Sequence, residues 1–264
     1  MSDMMTRHAE TAAVITGGGQ GVGLAIARQM VTEGCRRVAL AGRDGAKLES
    51  AAAELRAEGC TVLPIAMDLT DPDACLGLIE TAVREFGTIN ALANAAALGA
   101  RDSITDCTVE QWNAMFFTNV RAPFFLMQGF VRHRLSDGGG GAIVNIGSNC
   151  AHCGQSYLAS YSASKGALVT LTRNVANAQK FNRIRCNAIL PGWMDTPGEN
   201  ITQRRYHGAT DGWLERAEAA QPMKQLAKPR QLAFLASYML SRDAGVMTGA
   251  IVDYDQQIPG SYPE

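Results

Sequence analysis

The stretch that decides the fold is TGGGQGVG, residues 16–23, which directly follows the apolar run AAVIT at residues 12–16. An apolar-periodic stretch then runs from Val22 to Glu33, and this order predicts a strand, a tight glycine turn and a helix. Glycines in such a turn let the backbone approach a pyrophosphate, and the helix N-terminus offers unpaired N–H groups and partial positive charge. A glycine turn also occurs wherever a strand meets a helix closely, so it indicates a nucleotide site only together with other motifs.

The same alternation of a short β-rich run and a longer helical pattern continues along the chain. Helices are predicted over residues 47–58 and after Asp71-Pro72, because proline is favoured at the first helical position. Strands joined by helical crossovers form a parallel sheet that is covered on both faces. No linker or repeat divides the sequence, which predicts one doubly wound α/β domain over residues 1–264. The predicted strands are 12–16, 37–41, 61–67, 89–93, 142–146, 184–190 and 250–254.

The charge balance and the cysteines exclude several classes of protein. A net charge of −1 argues against a nucleic-acid partner, which requires a basic excess. No apolar run approaches the ~18 to 20 residues of a membrane span, and the N-terminal MSDMMTRHAE is not a secretory signal. Seven cysteines scattered along the chain are typical of a protein whose thiols stay reduced. We therefore expect a cytoplasmic protein that acts on a small molecule, without a membrane or nucleic-acid partner.

Motifs over almost the whole chain make the sequence resemble the short-chain dehydrogenases/reductases. The glycine turn has the pattern T-G-x-x-x-G-x-G, and YSASK at 161–165 matches Tyr-x-x-x-Lys. Further matches are MDL at 67–69, NAAA at 94–97, TNV around Asn119 and PGWMDT at 191–196. The resemblance implies a Rossmann-like NAD(P)-binding domain. It also implies an oxidoreductase that interconverts a secondary alcohol and a ketone, or a lactol and a lactone, by hydride transfer.

The motifs also predict which residues hold the cofactor, and Asp68 is expected at the adenine. The end of the second strand selects the nucleotide, because a carboxylate there commonly holds the ribose diol of NAD. Gly42 and Arg43 stand there instead, and a guanidinium suits a 2′-phosphate, so NADP(H) is favoured over NAD(H). The alternative is that Arg43 stacks on adenine or faces solvent. The predicted cofactor residues are Gly17, Gly19, Gln20, Gly21, Val22, Gly23, Arg43, Asp68, Leu69, Asn94, Ala95, Ala96, Tyr161, Lys165, Pro191, Gly192, Met194 and Thr196.

Four residues are predicted to carry the catalysis. Tyr161 and Lys165 are one helical turn apart and project from one face. An ammonium about 4 Å from a tyrosine hydroxyl would bring its pKa from about 10 to about 7, which suits a general acid/base. Ser148 would hydrogen-bond the substrate oxygen. The resemblance alone implies that Asn119 ties a water to Lys165 as a proton relay.

The substrate walls are expected beyond the carboxyl ends of the strands. The segment 193–222 is polar and poorly periodic, which suits a lid. Its aromatic, acidic and amide side chains favour a sugar, polyol or sugar acid as substrate. One alternative is a 3-oxoacyl-thioester reductase. A second is a dinucleotide-binding sensor without catalytic activity, which is less favoured because Tyr161 and Lys165 are both present. The predicted substrate contacts are Ser148, Asn149, Cys150, His152, Cys153, Tyr161 and Trp193.

Two features remain outside these motifs. Cys150-x-x-Cys153 with His152 offers at most three of the four ligands that a structural zinc requires, so no metal is predicted. The chain reads Tyr254-Asp255-Gln256-Gln257 where family members often have V-D-G-G, and Ala95 and Ala97 replace an asparagine and a glycine. The first difference leaves the C-terminal packing open. The resemblance implies a homodimer or homotetramer.

Overall fold

A computed structural model of the protein describes residues 6–261, and within them the chain alternates strands and helices from end to end. The strands are β1 (Ala12–Thr16), β2 (Arg37–Gly42), β3 (Thr61–Ala66), β4 (Ala91–Asn94), β5 (Gly141–Ile146), β6 (Ile184–Pro191) and β7 (Ile251–Tyr254). The helices are α1 (Gly21–Thr32), α2 (Gly45–Ala57), α3 (Pro72–Phe86), α4 (Val109–Phe116), α5 (Ala122–Ser136), α6 (Ala159–Gln179), α7 (Pro197–Tyr206), α8 (Trp213–Ala220) and α9 (Pro229–Leu240).

The strands form one parallel sheet in the order β3-β2-β1-β4-β5-β6-β7. Chain order runs outward in opposite directions from the β1–β4 pair, where Thr16 lies opposite Asn94. At such a switch point the loops that follow the two strands separate and leave a crevice at their carboxyl ends. The predicted doubly wound α/β fold is confirmed.

Alternating side chains of β1 pack into the two layers of helices. Ala13 and Ile15 belong to the core that includes Met30 of α1, whereas Val14 lies in the core that includes Ile79 of α3. This period of two, with both faces buried, explains why β1 is apolar throughout. None of the helices within residues 6–261 is long and apolar enough to cross a membrane.

Side-chain caps at Asp44 and Asp71 explain where α2 and α3 begin, and α2 begins two residues before the predicted position 47. Asp44 Oδ1 accepts a hydrogen bond from the Lys47 N–H over 3.1 Å, and Asp71 Oδ1 accepts one from the Asp73 N–H over 2.9 Å. Each cap satisfies a backbone donor that the first turn leaves unpaired. Pro72 then stands at the first position of α3, as predicted.

The polar segment 193–222 contains two helices, α7 and α8, although its sequence has little apolar periodicity. Thr196 Oγ1 accepts a hydrogen bond from the Glu199 N–H over 3.0 Å, and Pro197 begins α7. None of the side chains of α7 is buried among the described residues. Its sequence therefore has no apolar stripe to reveal it, and the helix depends on its caps and on polar contacts.

Candidate active site

A cleft of about 720 Å³ lies at the carboxyl ends of β1, β2 and β4. It is flanked on one side by the glycine turn and on the other by Ala95–Leu98, and Thr196 of the predicted lid reaches its rim. The predicted cofactor residues that line it are Gly17, Gly19, Gln20, Gly21, Val22, Gly23, Arg43, Asp68, Leu69, Ala95, Ala96 and Thr196.

The backbone of the glycine turn is shaped to take a pyrophosphate. Gly17 has a φ of 68°, and a Cβ at Gly23 would overlap the Gly17 carbonyl oxygen, so neither position admits an ordinary side chain. Gln20 precedes α1 without a side-chain cap, which leaves the N–H groups of the first turn available. The residues present therefore fit a dinucleotide, whose phosphates would sit at the N-terminus of α1.

The floor of the cleft is tied to β1 by a threonine. Thr16 Oγ1 accepts hydrogen bonds from the N–H groups of Ala95 and Ala96 over 3.1 and 3.2 Å. Both contacts use main-chain donors, so Ala95 keeps the turn although many family members have asparagine there.

Several other predicted cofactor residues lie outside the lining of this cleft. Asn94 is 2% exposed and its Nδ2 donates to Asn145 Oδ1 over 2.8 Å, so it braces β4 against β5. Pro191 and Met194 are buried, and Gly192 lies at the end of β6. Their contact with the cofactor, like that of Tyr161 and Lys165, stays a prediction.

The nucleotide-selecting end of the cleft contains a second cation that the sequence analysis missed. Lys47 lines the cleft beside Arg43, and its Nζ lies 3.5 Å from Asp44 Oδ2. The hydrogen bond from the Lys47 N–H holds the pKa of Asp44 below its usual value. The signal was available, because Asp44 caps α2 and Lys47 stands one turn later.

Tyr161 and Lys165 lie together in the first two turns of α6. Lys165 is 1% exposed, its Nζ donates to the Ile146 carbonyl oxygen over 2.9 Å, and this Nζ lies 5.7 Å from the centre of the Tyr161 ring. Burial lowers the pKa of Lys165 to about 8. The side chain thus reaches back to the end of β5 and passes the tyrosine.

Ser148 follows β5 and completes this group. Its Oγ accepts a hydrogen bond from the Cys150 N–H over 3.2 Å. Burial raises the pKa of Tyr161 to about 12, although its hydrogen bond with Ser148 acts in the opposite direction. Without a bound nucleotide the pKa of Tyr161 thus lies above its ordinary value, and its fall to about 7 stays a prediction. The desolvation of the phenolate outweighs the effect of the Ser148 hydrogen bond.

Asn119 lies in the π-helical turn Phe117–Arg121 that joins α4 to α5. Its Oδ1 accepts from the Leu98 N–H over 2.8 Å, and its Nδ2 donates to the Leu98 oxygen over 2.9 Å and to Ser164 Oγ over 3.1 Å. The amide thereby joins the wall after β4 to the catalytic helix. The relay to Lys165 stays a prediction.

The wall between Ser148 and Tyr161 is held by two carboxylates of the C-terminal segment. His152 Nε2 lies 2.7 Å from Asp253 Oδ1, and Asn149 Nδ2 donates to Asp255 Oδ2 over 2.5 Å. Neither acid was predicted as a site residue; Asp253 lies in β7 and Asp255 directly follows it. Cys150 is buried, which raises the pKa of its thiol, and Cys153 is exposed; both thiols are free.

Asp255 also explains the C-terminal packing that the sequence left open. The Gly192 N–H donates to the Tyr254 oxygen over 3.0 Å, and a Cβ at Gly192 would overlap the Asp255 carboxylate. The glycine of the P-G-x-x-x-T motif is therefore required here by close contact with the end of the chain's last strand.

Polar side chains of the lid mostly bind one another. Trp193 Nε1 donates to Glu199 Oε1 over 2.8 Å, and Trp213 Nε1 donates to Asn200 Oδ1 over 2.7 Å. The Nζ of Lys228 bridges Asp195 and Glu218 over 2.9 and 2.5 Å. These contacts fold α7 and α8 over the mouth of the site.

Comparison with known proteins gives the same assignment as the geometry. The family model of the short chain dehydrogenases matches residues 11–206. A cis-4-hydroxycyclohexanecarboxylate dehydrogenase of Sinomonas cyclohexanicum is 32% identical over 94% of this chain and 96% of that protein. A gluconate 5-dehydrogenase of Gluconobacter oxydans is 29% identical over 92% of each.

Two solved structures share both the fold and part of the sequence. The L-sorbose reductase of Gluconobacter frateurii, in complex with NADPH and L-sorbose, has a TM-score of 0.88 and 29% identity over 98% of this chain and 100% of that chain. An NAD⁺-bound xylitol dehydrogenase has a TM-score of 0.85 and 26% identity over 93% and 98%. The protein belongs to the short-chain dehydrogenase/reductase family and is an oxidoreductase that acts on CH–OH groups.

Proposed function

We propose that the protein is an NADP(H)-preferring oxidoreductase that interconverts a secondary alcohol and a ketone, or a lactol and a lactone, in a sugar, polyol or sugar acid. The observation that carries this proposal is the convergence of Ser148, Tyr161 and Lys165 at the end of β5, beside a cleft shaped for a dinucleotide. Together they provide a proton donor, an oxygen-binding hydroxyl and a fixed positive charge at one place.

Each of the three side chains has its own part in the reaction. When bound, the nicotinamide supplies or accepts the hydride at the carbinol carbon. In the reduction Tyr161 donates its proton to the substrate oxygen, and in the oxidation it takes the hydroxyl proton. Ser148 holds the same oxygen by a hydrogen bond. Lys165, protonated at neutral pH because its pKa is about 8, favours the phenolate and holds the nicotinamide ribose.

Arg43 and Lys47 support the preference for NADP(H). They give the end of β2 two cations, while its one carboxylate, Asp44, is already engaged as the cap of α2 and Asp68 reaches the cleft from the segment after β3. A 2′-phosphate gains charge-assisted hydrogen bonds there, whereas the ribose diol of NAD has no free acidic partner.

The substrate class rests on the lid and on the relatives. The lid contains indole, amide and carboxylate groups, which bind one another in pairs such as Trp193 with Glu199 and Trp213 with Asn200. The relatives include proteins named for sorbose, xylitol and gluconate. We further propose a role in carbohydrate metabolism, a cytoplasmic location, and a single domain in which residues 193–222 form the lid. The rival substrates are 3-oxoacyl thioesters.

A homodimer or homotetramer is part of the same proposal. Large apolar side chains are exposed along α4 and α5, among them Val109, Trp112 and Phe124. A surface of this kind on neighbouring helices is suited to a second copy of the chain.

The test is a screen of sugars, polyols, hydroxy acids and a 3-oxoacyl thioester with both nucleotides, run alongside Tyr161→Phe. We expect NADP-linked turnover of a polyhydroxylated compound, and loss of this turnover in Tyr161→Phe with cofactor affinity unchanged. A preference for the thioester would replace the proposed substrate class. Binding of NADPH without turnover across the panel would favour the idle sensor.

A further inference from the structure

Arg101 lies where three walls of the substrate mouth meet. It follows the segment after β4, and its Nε donates to Nε2 of His207 over 3.1 Å, at the end of α7. Its guanidinium carbon is 5.8 Å from the centre of the Tyr157 ring, in the wall between Ser148 and α6. The Tyr157 and His207 rings are themselves 5.7 Å apart. Arg101 thus closes the gap between the lid and both fixed walls.

The two terminal nitrogens of this guanidinium have no partner within residues 6–261. No carboxylate of this part of the chain lies within 4.0 Å of Arg101, and the only hydrogen bond it makes there uses Nε. Arg204 of the lid, in contrast, pairs with Asp211 over 2.9 Å. The half-exposed guanidinium therefore leaves its terminal N–H groups available to a ligand that carries negative charge.

The neighbouring Asp102 fixes Arg101 beside the catalytic helix. Asp102 is 4% exposed, and its N–H donates to the Tyr157 oxygen over 3.1 Å. Its carboxylate accepts hydrogen bonds from both the N–H and the hydroxyl of Ser160, the residue before Tyr161. The backbone at Arg101 therefore keeps its place relative to Tyr161 even if the lid moves.

Charge at this mouth acts on the reacting groups. Burial raises the pKa values of Tyr161 and Cys150, and the positive charge of Arg101 acts in the opposite direction on both. The negative charge of Glu199 in the lid raises the pKa of Tyr161. The Glu199 carboxylate, however, already accepts hydrogen bonds from Trp193 and Gln203. The site therefore has one free cation, Arg101, among the described groups that influence Tyr161, and no equally free anion.

We propose that Arg101 binds a carboxylate of the substrate, so that the protein acts on hydroxycarboxylates in preference to neutral sugars or polyols. The planar fork of its two terminal nitrogens matches a carboxylate with two parallel hydrogen bonds. The substrate then spans the site, with its carboxylate at Arg101 and its reacting hydroxyl at Tyr161 and Ser148. This inference rests on the proposed function and narrows it.

The experiment compares each acid with its uncharged carboxamide in the presence of saturating NADP⁺. The probes are 4-hydroxycyclohexanecarboxylate and gluconate with their amides, and the variants are Arg101→Gln and Arg101→Lys. We expect the wild type to favour the acids by about 10- to 100-fold in kcat/KM, mainly through KM. Arg101→Gln should bring this ratio close to one, and Arg101→Lys should restore part of it. Arg204→Gln, which removes a paired arginine of the same lid, should leave the ratio unchanged.

A second measurement separates this inference from the proposed function. Cyclohexanecarboxylate has no hydroxyl group and cannot react, so its binding to the NADPH-loaded protein, followed by cofactor fluorescence, reports only the anion site. We expect Arg101→Gln to weaken this binding at least tenfold. Equal ratios or equal binding in wild type and Arg101→Gln would overturn the role of Arg101. Absence of turnover for every alcohol, with carboxylate binding intact, would overturn the proposed function alone.

Discussion

Lys165 keeps its ammonium group inside the protein, with the Ile146 carbonyl oxygen as its hydrogen-bond acceptor. Burial lowers its pKa from the ordinary 10.5 to about 8. The positive charge of Lys165, which the proposed chemistry requires, therefore lowers the stability of the folded protein. A residue kept for catalysis at the expense of stability should reveal itself in the pH dependence of unfolding.

The first prediction concerns this pH dependence. Between pH 8 and 10.5 the folded state has released the Lys165 proton while the unfolded chain still binds it, so the stability of the wild type rises with pH in this window. From pH 7 to pH 10.5 the free energy of unfolding of the wild type should rise by on the order of 3 kcal/mol more than that of Lys165→Met. Urea unfolding of both proteins at pH 7 and at pH 10.5 measures this gain. An unchanged difference would mean that the lysine is not destabilised by burial.

The second prediction concerns Arg43 at the nucleotide-selecting end. Arg43→Ala should raise KM for NADPH by about 10- to 100-fold and leave KM for NADH nearly unchanged, since only NADPH carries the 2′-phosphate. Initial-rate kinetics with both cofactors measure the effect. Arg56→Ala is the matched control, because Arg56 lies on α2, the helix that follows Arg43, but pairs with Glu49 and does not line the cleft. A clear preference of the wild type for NADH would contradict the assignment.

At the scale of elements, α7 and α8 depend on few contacts with the rest of the protein. Lys228 precedes α9 and joins both ends of the lid, since Asp195 comes before α7 and Glu218 lies in α8. The hydrogen bond with Glu218, followed by that with Asp195, raises the pKa of Lys228, so the contact persists throughout the neutral range. The lid can therefore be loosened at one residue without touching the catalytic group.

The third prediction is the effect of Lys228→Met. Loss of the two ion pairs should cost at most about 1 kcal/mol of stability, because both are partly exposed. KM for the substrate should rise several-fold while cofactor affinity changes little, since the lid covers the substrate side. Steady-state kinetics and thermal unfolding check both parts. Lys180→Met, at an exposed position directly after α6 and outside the lid, serves as the control. A fall in kcat with unchanged KM would assign Lys228 a different role.

At the scale of the whole molecule, the exposed side chains of α4 and α5 bear on assembly. Trp112 stacks on Phe116 with ring centres 4.5 Å apart, and Phe124 lies on the following helix. These rings form an apolar face of the kind that pairs isologously with a copy of itself.

The fourth prediction is therefore an assembly of two or four chains in light scattering at micromolar concentration. Phe124→Glu should lower the mass, because it buries a charge in the interface. Phe181→Glu, at an exposed ring after α6, should leave the mass unchanged. A wild type with the mass of one chain would remove oligomerisation from the proposed function.

The sequence alone predicted all seven strands within residues 6–261 to within two residues at each end, because apolar runs such as Ala12–Thr16 are local signals. It also placed Ser148, Tyr161 and Lys165 in one group, through motifs with fixed spacing. It missed contacts between distant segments, such as Asn149 with Asp255 and Arg101 with His207, each 106 residues apart. Such pairs depend on where the sheet brings its strand ends, and no local pattern reports them. The same holds for the pKa of Tyr161, which depends on burial by the whole fold.

Because Gly192 and Asp255 are in contact, the residues that the protein tolerates at position 192 depend on the residue at position 255. The Asp255 carboxylate cannot easily give way, because it also accepts hydrogen bonds from Asn149 and from the Gln256 N–H. A side chain at position 192 therefore needs space that the Asp255 carboxylate now fills. We expect directed evolution to accept substitutions at position 192 more often in libraries that also vary residue 255.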